Sequence, residues 1–212
     1  MNLVKEIYFN TPIYFIEKKE WLNDLILHTD EYIEKSKQNK KIIDNKNFSI
    51  VHHSEYLSEI NFIDFTQFIC KESVNILDSQ GYNMNLYSML VSEIWVQEFS
   101  KEGGGHHNSH IHSNSHISGF YFLKCSDKTS FPVFHDSRLN KKMIQLKEKD
   151  ESKITESSEK INVKPTPELF IFFNSYLEHE FVIDHGIEPF RFIHFNIQAI
   201  PKQLINSNIK KI

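Results

Sequence analysis

The stretch His110-Ile111-His112-Ser113-Asn114-Ser115-His116-Ile117-Ser118-Gly119-Phe120-Tyr121-Phe122-Leu123-Lys124 decides how this chain is read. From Ser115 onward it is a run of aromatic and aliphatic residues of strand character. Its opening places two imidazoles two residues apart. In a strand, residues at i and i+2 project from the same face, so His110 and His112 would enter one space together, as a metal ion requires. The triplet Gly103-Gly104-Gly105 just upstream is a strong turn signal. A His-x-His pair alone also fits the polar face of an exposed strand. The turn before it and the apolar strand after it favour metal.

Working outward, strand character recurs over residues 86–99, 131–135, 169–174, 178–183 and 191–200. Residues 6–15 have it too, broken by Pro12. Two segments follow helical spacing instead. Residues 19–38 carry Trp21, Leu22, Leu25, Ile26, Tyr32 and Ile33, and residues 60–79 carry Phe62, Phe65, Phe68, Ile69 and Ile76, with a start near Asn61 or Asp64. Residues 137–164 are charged and poor in apolar groups, and read as a mobile excursion between core strands and a candidate lid. The pattern predicts a mostly β protein with flanking helices, a double-sheet jelly roll. Its parts would be residues 1–85 packing on the core, a core over 86–200 interrupted at 137–164, and a tail over 201–212.

At 212 residues the chain can bury one sizeable core, and 40% hydrophobic residues with 18 phenylalanines argue for a folded protein. A net charge of −4, with both signs mixed, gives no electrostatic case for nucleic acid or an anionic membrane. The N-terminus lacks the apolar stretch of a signal peptide, and the longest apolar run, Leu169 to Phe173, is far too short to span a bilayer. Cys70 and Cys125 form no Cys-x-x-Cys motif and read as free thiols. A cytoplasmic protein is expected. The 12 histidines, several crowded between 106 and 116, point to metal.

One metal needs a third ligand. His179 follows the buried-type strand Leu169–Phe173 and a turn, placed to face a neighbouring sheet. Arg191, twelve positions later, opens another apolar strand. A guanidinium inside an apolar barrel is costly unless it meets an anion, and its fork suits a carboxylate. That carboxylate is either a ligand's or a protein one such as Glu188 or Asp136. His106, His107 and His116 either line the pocket or are solvated, while His135, His185 and His194 read as structural or surface groups.

These residues carry a resemblance. Val96-Gln97-Glu98-Phe99, Gly104-Gly105, His110-Ile111-His112 and Ser118-Gly119-Phe120-Tyr121-Phe122-Leu123, taken with Pro167, Phe173, His179, Arg191 and Asn196, resemble the 2-oxoglutarate/Fe(II) oxygenases of marine bacteria and their phages, relatives of prolyl hydroxylases. The resemblance covers about residues 86–200. It implies a double-stranded β-helix (cupin-like) core and iron on His110, His112 and His179. It further implies 2-oxoglutarate with its distal carboxylate on Arg191. Tyr121 is either a further co-substrate contact or a buried core tyrosine, and Asn196 is a contact of co-substrate or substrate. Trp95, Gln97 and His116 are substrate-pocket candidates. The wider superfamily carries a carboxylate where this chain has His112, so Asp136 is the alternative ligand. The implied reaction is oxidation of an unactivated C–H bond of a small-molecule or peptide substrate by molecular oxygen, with release of succinate and CO2. The alternatives are a three-histidine cupin dioxygenase that needs no 2-oxoglutarate and a non-enzymatic binding module.

Overall fold

A computed structural model describes residues 3–43, 51–57, 59–144 and 146–209. In chain order the elements are β1 (Ile13–Glu17), α1 (Leu22–Ile43), β2 (Val51–His53), α2 (Glu59–Ser79), β3 (Tyr87–Phe99), β4 (His107–His110), β5 (Ile117–Lys124), β6 (Pro132–His135), β7 (Lys160–Asn162), β8 (Leu169–Asn174), β9 (His179–Phe181), β10 (Phe190–Pro201) and α3 (Lys202–Ile209). The strands form two antiparallel sheets, ordered β1-β8-β5-β10-β3-β2 and β4-β9-β6-β7. Successive strands from β3 onward alternate between the sheets, except that β6 and β7 are neighbours in one. That is the double-sheet jelly roll with helices on its flank.

The large sheet is buried on both faces, which is why its strands read as nearly continuous apolar runs rather than alternating ones. Along β10, Phe190 and Phe192 point between the two sheets, into a cluster with Phe99, Phe120, Phe122, Phe134, Phe173 and Phe181. Ile193, Phe195 and Ile197 point the other way, against Leu25, Ile33, Phe65 and Ile69 of the helices. Gly119 sits where this face is tightest: a Cβ there would lie 2.3 Å from Phe195 Cζ and 2.5 Å from the Ile171 carbonyl oxygen.

Several expectations are corrected. The N-terminal strand is Ile13–Glu17, and residues 6–12 stay outside the ladder because Pro12 cannot donate to it. α2 begins at Glu59 and carries a non-helical Phe62 (φ −128°) near its start. The tail expected over 201–212 begins as a helix, α3, within the described residues. The excursion 137–164 contains a short 3-10 turn, Leu139–Met143, and supplies β7. It is tied down by Lys141 Nζ on the Ser158 carbonyl (2.7 Å) and Arg138 on the Glu156 carbonyl (3.2 Å). β7 forms the edge of the small sheet farthest from β4.

Candidate metal centre

β4 reaches its position after the Gly103-Gly104 turn, where both glycines take positive φ (78° and 83°). It ends at His110, whose Cα pairs with that of His179, the first residue of β9. His112 stands two residues past the strand, in the loop to β5, so the pair does not lie on one strand as expected. Loop and neighbouring turn fix it instead. The His112 N–H donates to the Ser175 carbonyl (3.0 Å), the Ser175 N–H to the His116 carbonyl (3.0 Å), and the His116 N–H to the Ile197 carbonyl (2.8 Å).

One ring nitrogen from each of His110, His112 and His179 lies within 4.8 Å of the others. Nδ1 of His110 donates to the Asn108 carbonyl (2.6 Å) and Nδ1 of His179 to the Leu177 carbonyl (2.9 Å). Both bonds hold the proton on Nδ1 and leave Nε2 as a lone pair facing the cluster, the tautomer a metal needs. Nε2 of His112 lies 3.2 Å from Nε2 of His179. The Asn196 side-chain nitrogen lies 3.3 Å from His112 Nδ1, and the Asn196 oxygen accepts from Ser118 Oγ (2.6 Å). The same nitrogen donates to Glu93 (2.5 Å), so the amide is fixed in this orientation and links His112 to β3. His179 is fully buried among Phe120, Phe134 and Phe173, with ring centroids 4.7 to 5.9 Å away. Burial, with neighbouring imidazoles adding to it, pushes His112 down to about 4 and His179 down to about 3. Both are neutral donors at physiological pH.

A fourth imidazole joins them. His194, expected at the surface or in a structural role, is buried between the sheets, with its Nε2 3.2 Å from His112 Nε2 and burial holding it well below its ordinary pKa. Trp95 lies against it, ring centroids 4.4 Å apart. His107 flanks the other side, its ring 6.0 Å from that of His110 and its pKa lowered to about 4 by burial. Trp95 Nε1, His194 Nδ1 and His107 Nε2 are buried with no hydrogen-bond partner among the described residues. Buried polar atoms left unpaired in this way are costly and mark a place where something else binds. The signal for His194 was its spacing: it stands two residues from Asn196 and so shares its face.

Other expected residues lie elsewhere. Arg191 projects from the opposite face of β10, against α1. It donates from Nε to Glu98 (2.8 Å), from a terminal nitrogen to Asp30 (2.5 Å), and to Thr29 Oγ1 (3.2 Å). It is therefore a buried ionic tie between α1 and β3, not a grip beside the imidazoles, and its partners are neither of the two carboxylates considered from sequence. Tyr121 is on that face too, and its hydroxyl donates to the Lys18 carbonyl (2.7 Å). Asp136 is held by Arg138 (2.8 and 3.0 Å) and Lys141 (2.9 Å), which keep its carboxyl far below the usual range. It is absent from the cluster of convergent donors. Gln97 is buried on the inner row of β3, opposite Phe192, and His116 accepts from the Ala199 N–H (3.1 Å).

Residues 93–196, which carry all four imidazoles around the cluster, match the family model described as "Putative 2OG-Fe(II) oxygenase". Through that stretch the chain is similar to this family. No curated protein sequence matches it. The fold is similar to a 2OG-Fe(II) oxygenase-family oxidoreductase from Burkholderia pseudomallei, with TM-score 0.58, 6% identity, and 88% of this chain and 84% of that one covered. It is similar also to AviO1 from Streptomyces viridochromogenes Tue57 (TM-score 0.61, 5% identity, 89% and 90% covered). A prolyl-4-hydroxylase from Pseudomonas putida gives TM-score 0.52 at 7% identity, with 89% and 93% covered.

The oxygenase is thus an oxidoreductase, and its family's cofactors are Fe(II) and 2-oxoglutarate. The donor set fits iron: imidazole suits it, and the nitrogens converge, with His110 and His179 backed by carbonyls. For 2-oxoglutarate the fit differs from the one expected. Arg191 is the only buried Lys or Arg among the described residues, and it is committed to Glu98 and Asp30. The polar groups against the imidazoles include Trp95, His194 and Asn196, and Asn196 in turn donates to the Glu93 carboxylate.

Proposed function

We propose that this oxygenase oxidises an unactivated C–H bond, by hydroxylation, with release of succinate and CO2, and that His110, His112 and His179 hold its iron. The observation that carries the reading is the convergence of three imidazoles at the junction of β4 and β9, two of them, His110 and His179, backed by carbonyls. Bound Fe(II) with 2-oxoglutarate supplies the oxidation, coupling reduction of molecular oxygen to decarboxylation of the co-substrate. The protein's part is position and exclusion of water. The phenylalanines around His179 keep solvent from it, and the Asn108 and Leu177 carbonyls orient the two rings they accept from. With no carboxylate in the donor set, a bound Fe(II) keeps its full charge, which favours an anionic co-substrate held otherwise by neutral donors. The family implies molecular oxygen and a small-molecule or peptide substrate. No helix among the described residues is long and apolar enough to cross a membrane, and both cysteines are free, which suits the reducing cytoplasm.

The test is an anaerobic Fe(II) titration with and without 2-oxoglutarate, followed by succinate analysis after oxygen is admitted. A visible charge-transfer band that needs 2-oxoglutarate, and that His179→Ala abolishes, is the expected result. Tight iron binding with no band would favour the three-histidine dioxygenase. Arg191 pairing inside the protein is the observation on that side.

A further inference from the structure

A cleft of about 520 Å³ opens beside the metal centre and has His112 itself in its wall. Its size suits a small-molecule site. Tyr82, Leu86, Ile111 and Tyr176, each more than half exposed, gather at it. Single exposed apolar residues need no explanation, but four around one concavity mark a binding surface. The wall is also preformed, because backbone hydrogen bonds tie His112 and His116 to the β8–β9 turn and to β10.

Among the described residues, the lining contains no Asp, Glu, Lys or Arg. The contrast lies within the same molecule: a second cleft, of about 460 Å³, between residues 5–11 and the 137–164 excursion, is lined by Lys5, Glu6, Asp136, Arg138, Glu156 and Lys160 among others. At the rim of the uncharged cleft, the ammonium of Lys202 is bonded to the Asn85 carbonyl (2.9 Å). A charged ligand entering an apolar cleft loses hydration and needs a counter-charge. Free amino acids and nucleotides would find none among these lining side chains. Aromatic walls instead take the faces of a ring, while their hydroxyls serve its polar edge. The hydroxyls of Tyr82, Tyr87 and Tyr176 and the amides of Asn83 and Asn114 line this cleft and make no hydrogen bond among the described residues.

We infer that the substrate presents an uncharged, ring-bearing group to this cleft, with the atom to be oxidised on the side of His112. The inference rests on the oxygenase reading above, and its test separates the two. Zn(II)-loaded protein is titrated at pH 7 with N-acetyltyrosinamide, N-acetyltyrosine and tyramine, which share one ring and differ in charge. Binding is read by ligand-observed NMR. The neutral compound should bind about tenfold more tightly than the anion or the cation. Tyr82→Ala and Tyr176→Ala should each weaken it while zinc content and melting temperature stay unchanged. Equal or tighter binding of an ion, or neutral binding indifferent to both substitutions, would overturn the inference. Tighter binding of the blocked tripeptide N-acetyl-Gly-Tyr-Gly-amide assigns the group to a peptide residue, and weaker binding assigns it to a free small molecule. The Fe(II)/2-oxoglutarate band measured on the same preparation keeps the readings apart. A band without neutral-ligand preference removes only this inference, and preference without a band removes only the oxygenase chemistry.

Discussion

The two faces of the large sheet bury polar groups in opposite ways. Toward the helices, Arg191 meets Glu98, Asp30 and Thr29, and Glu98 in turn meets Lys37 (3.1 Å). Every charge there is answered, as a structural ion network requires. Toward the small sheet, Trp95, His107 and His194 carry buried nitrogens with no partner among the described residues, next to three imidazoles aimed at one another. Answered charges mark the face that holds the fold together. Incomplete pairing marks the face that waits for a ligand.

The sharpest way to break this comparison is His179→Ala. Removing one of three donors should cost at least about 100-fold in Fe(II) or Zn(II) affinity, more than losing a supporting group does. Calorimetric titration measures it, and unchanged affinity would move the metal elsewhere. Arg191→Ala probes the other face. It leaves Glu98 buried without its guanidinium and should destabilise the protein by about 3–5 kcal/mol, read from urea midpoints, with metal affinity unchanged. If stability held while 2-oxoglutarate binding fell, the assignment of faces would be wrong.

Two smaller effects sharpen the contrast. Asn196→Ala removes the side chain that touches His112 Nδ1 and should weaken metal binding about tenfold. The metal-free protein should also lose stability in mild acid. His107 and His112 sit near 4 and His179 near 3 when folded, against 6.5 for an ordinary imidazole. The unfolded chain therefore takes up protons first, and stability falls as pH drops from about 6.5 toward 4. Each group contributes up to about 1.4 kcal/mol per pH unit. Metal binding should offset this loss near neutrality, so melting temperatures with and without Zn(II) at pH 5 and 7.5 give the check.

How much was legible in the sequence follows the same division. The strands and helices were readable because apolar period and turn residues are local. His110, His112 and His179 were readable as candidates because histidine is rare in apolar strand contexts, and Asn196 was placed near them. The facing of Arg191, Tyr121 and His194 is not legible in the sequence, for one reason. A strand buried on both faces reads as apolar at every position, so Arg191-Phe192-Ile193-His194-Phe195-Asn196 does not say which residues look inward.

The sequence by itself determined the element types, the jelly-roll class and the three histidines as candidates, since these rest on local periodicity and residue chemistry. The loop and turn contacts of His112 bring the three together. Tertiary structure alone decided which face each β10 residue serves. It paired Arg191 with the carboxylates Asp30 and Glu98, distant in sequence, and brought His194 and Trp95 beside His112. Those outcomes depend on register between strands far apart in the chain, and a shift of one residue would exchange the two faces entirely.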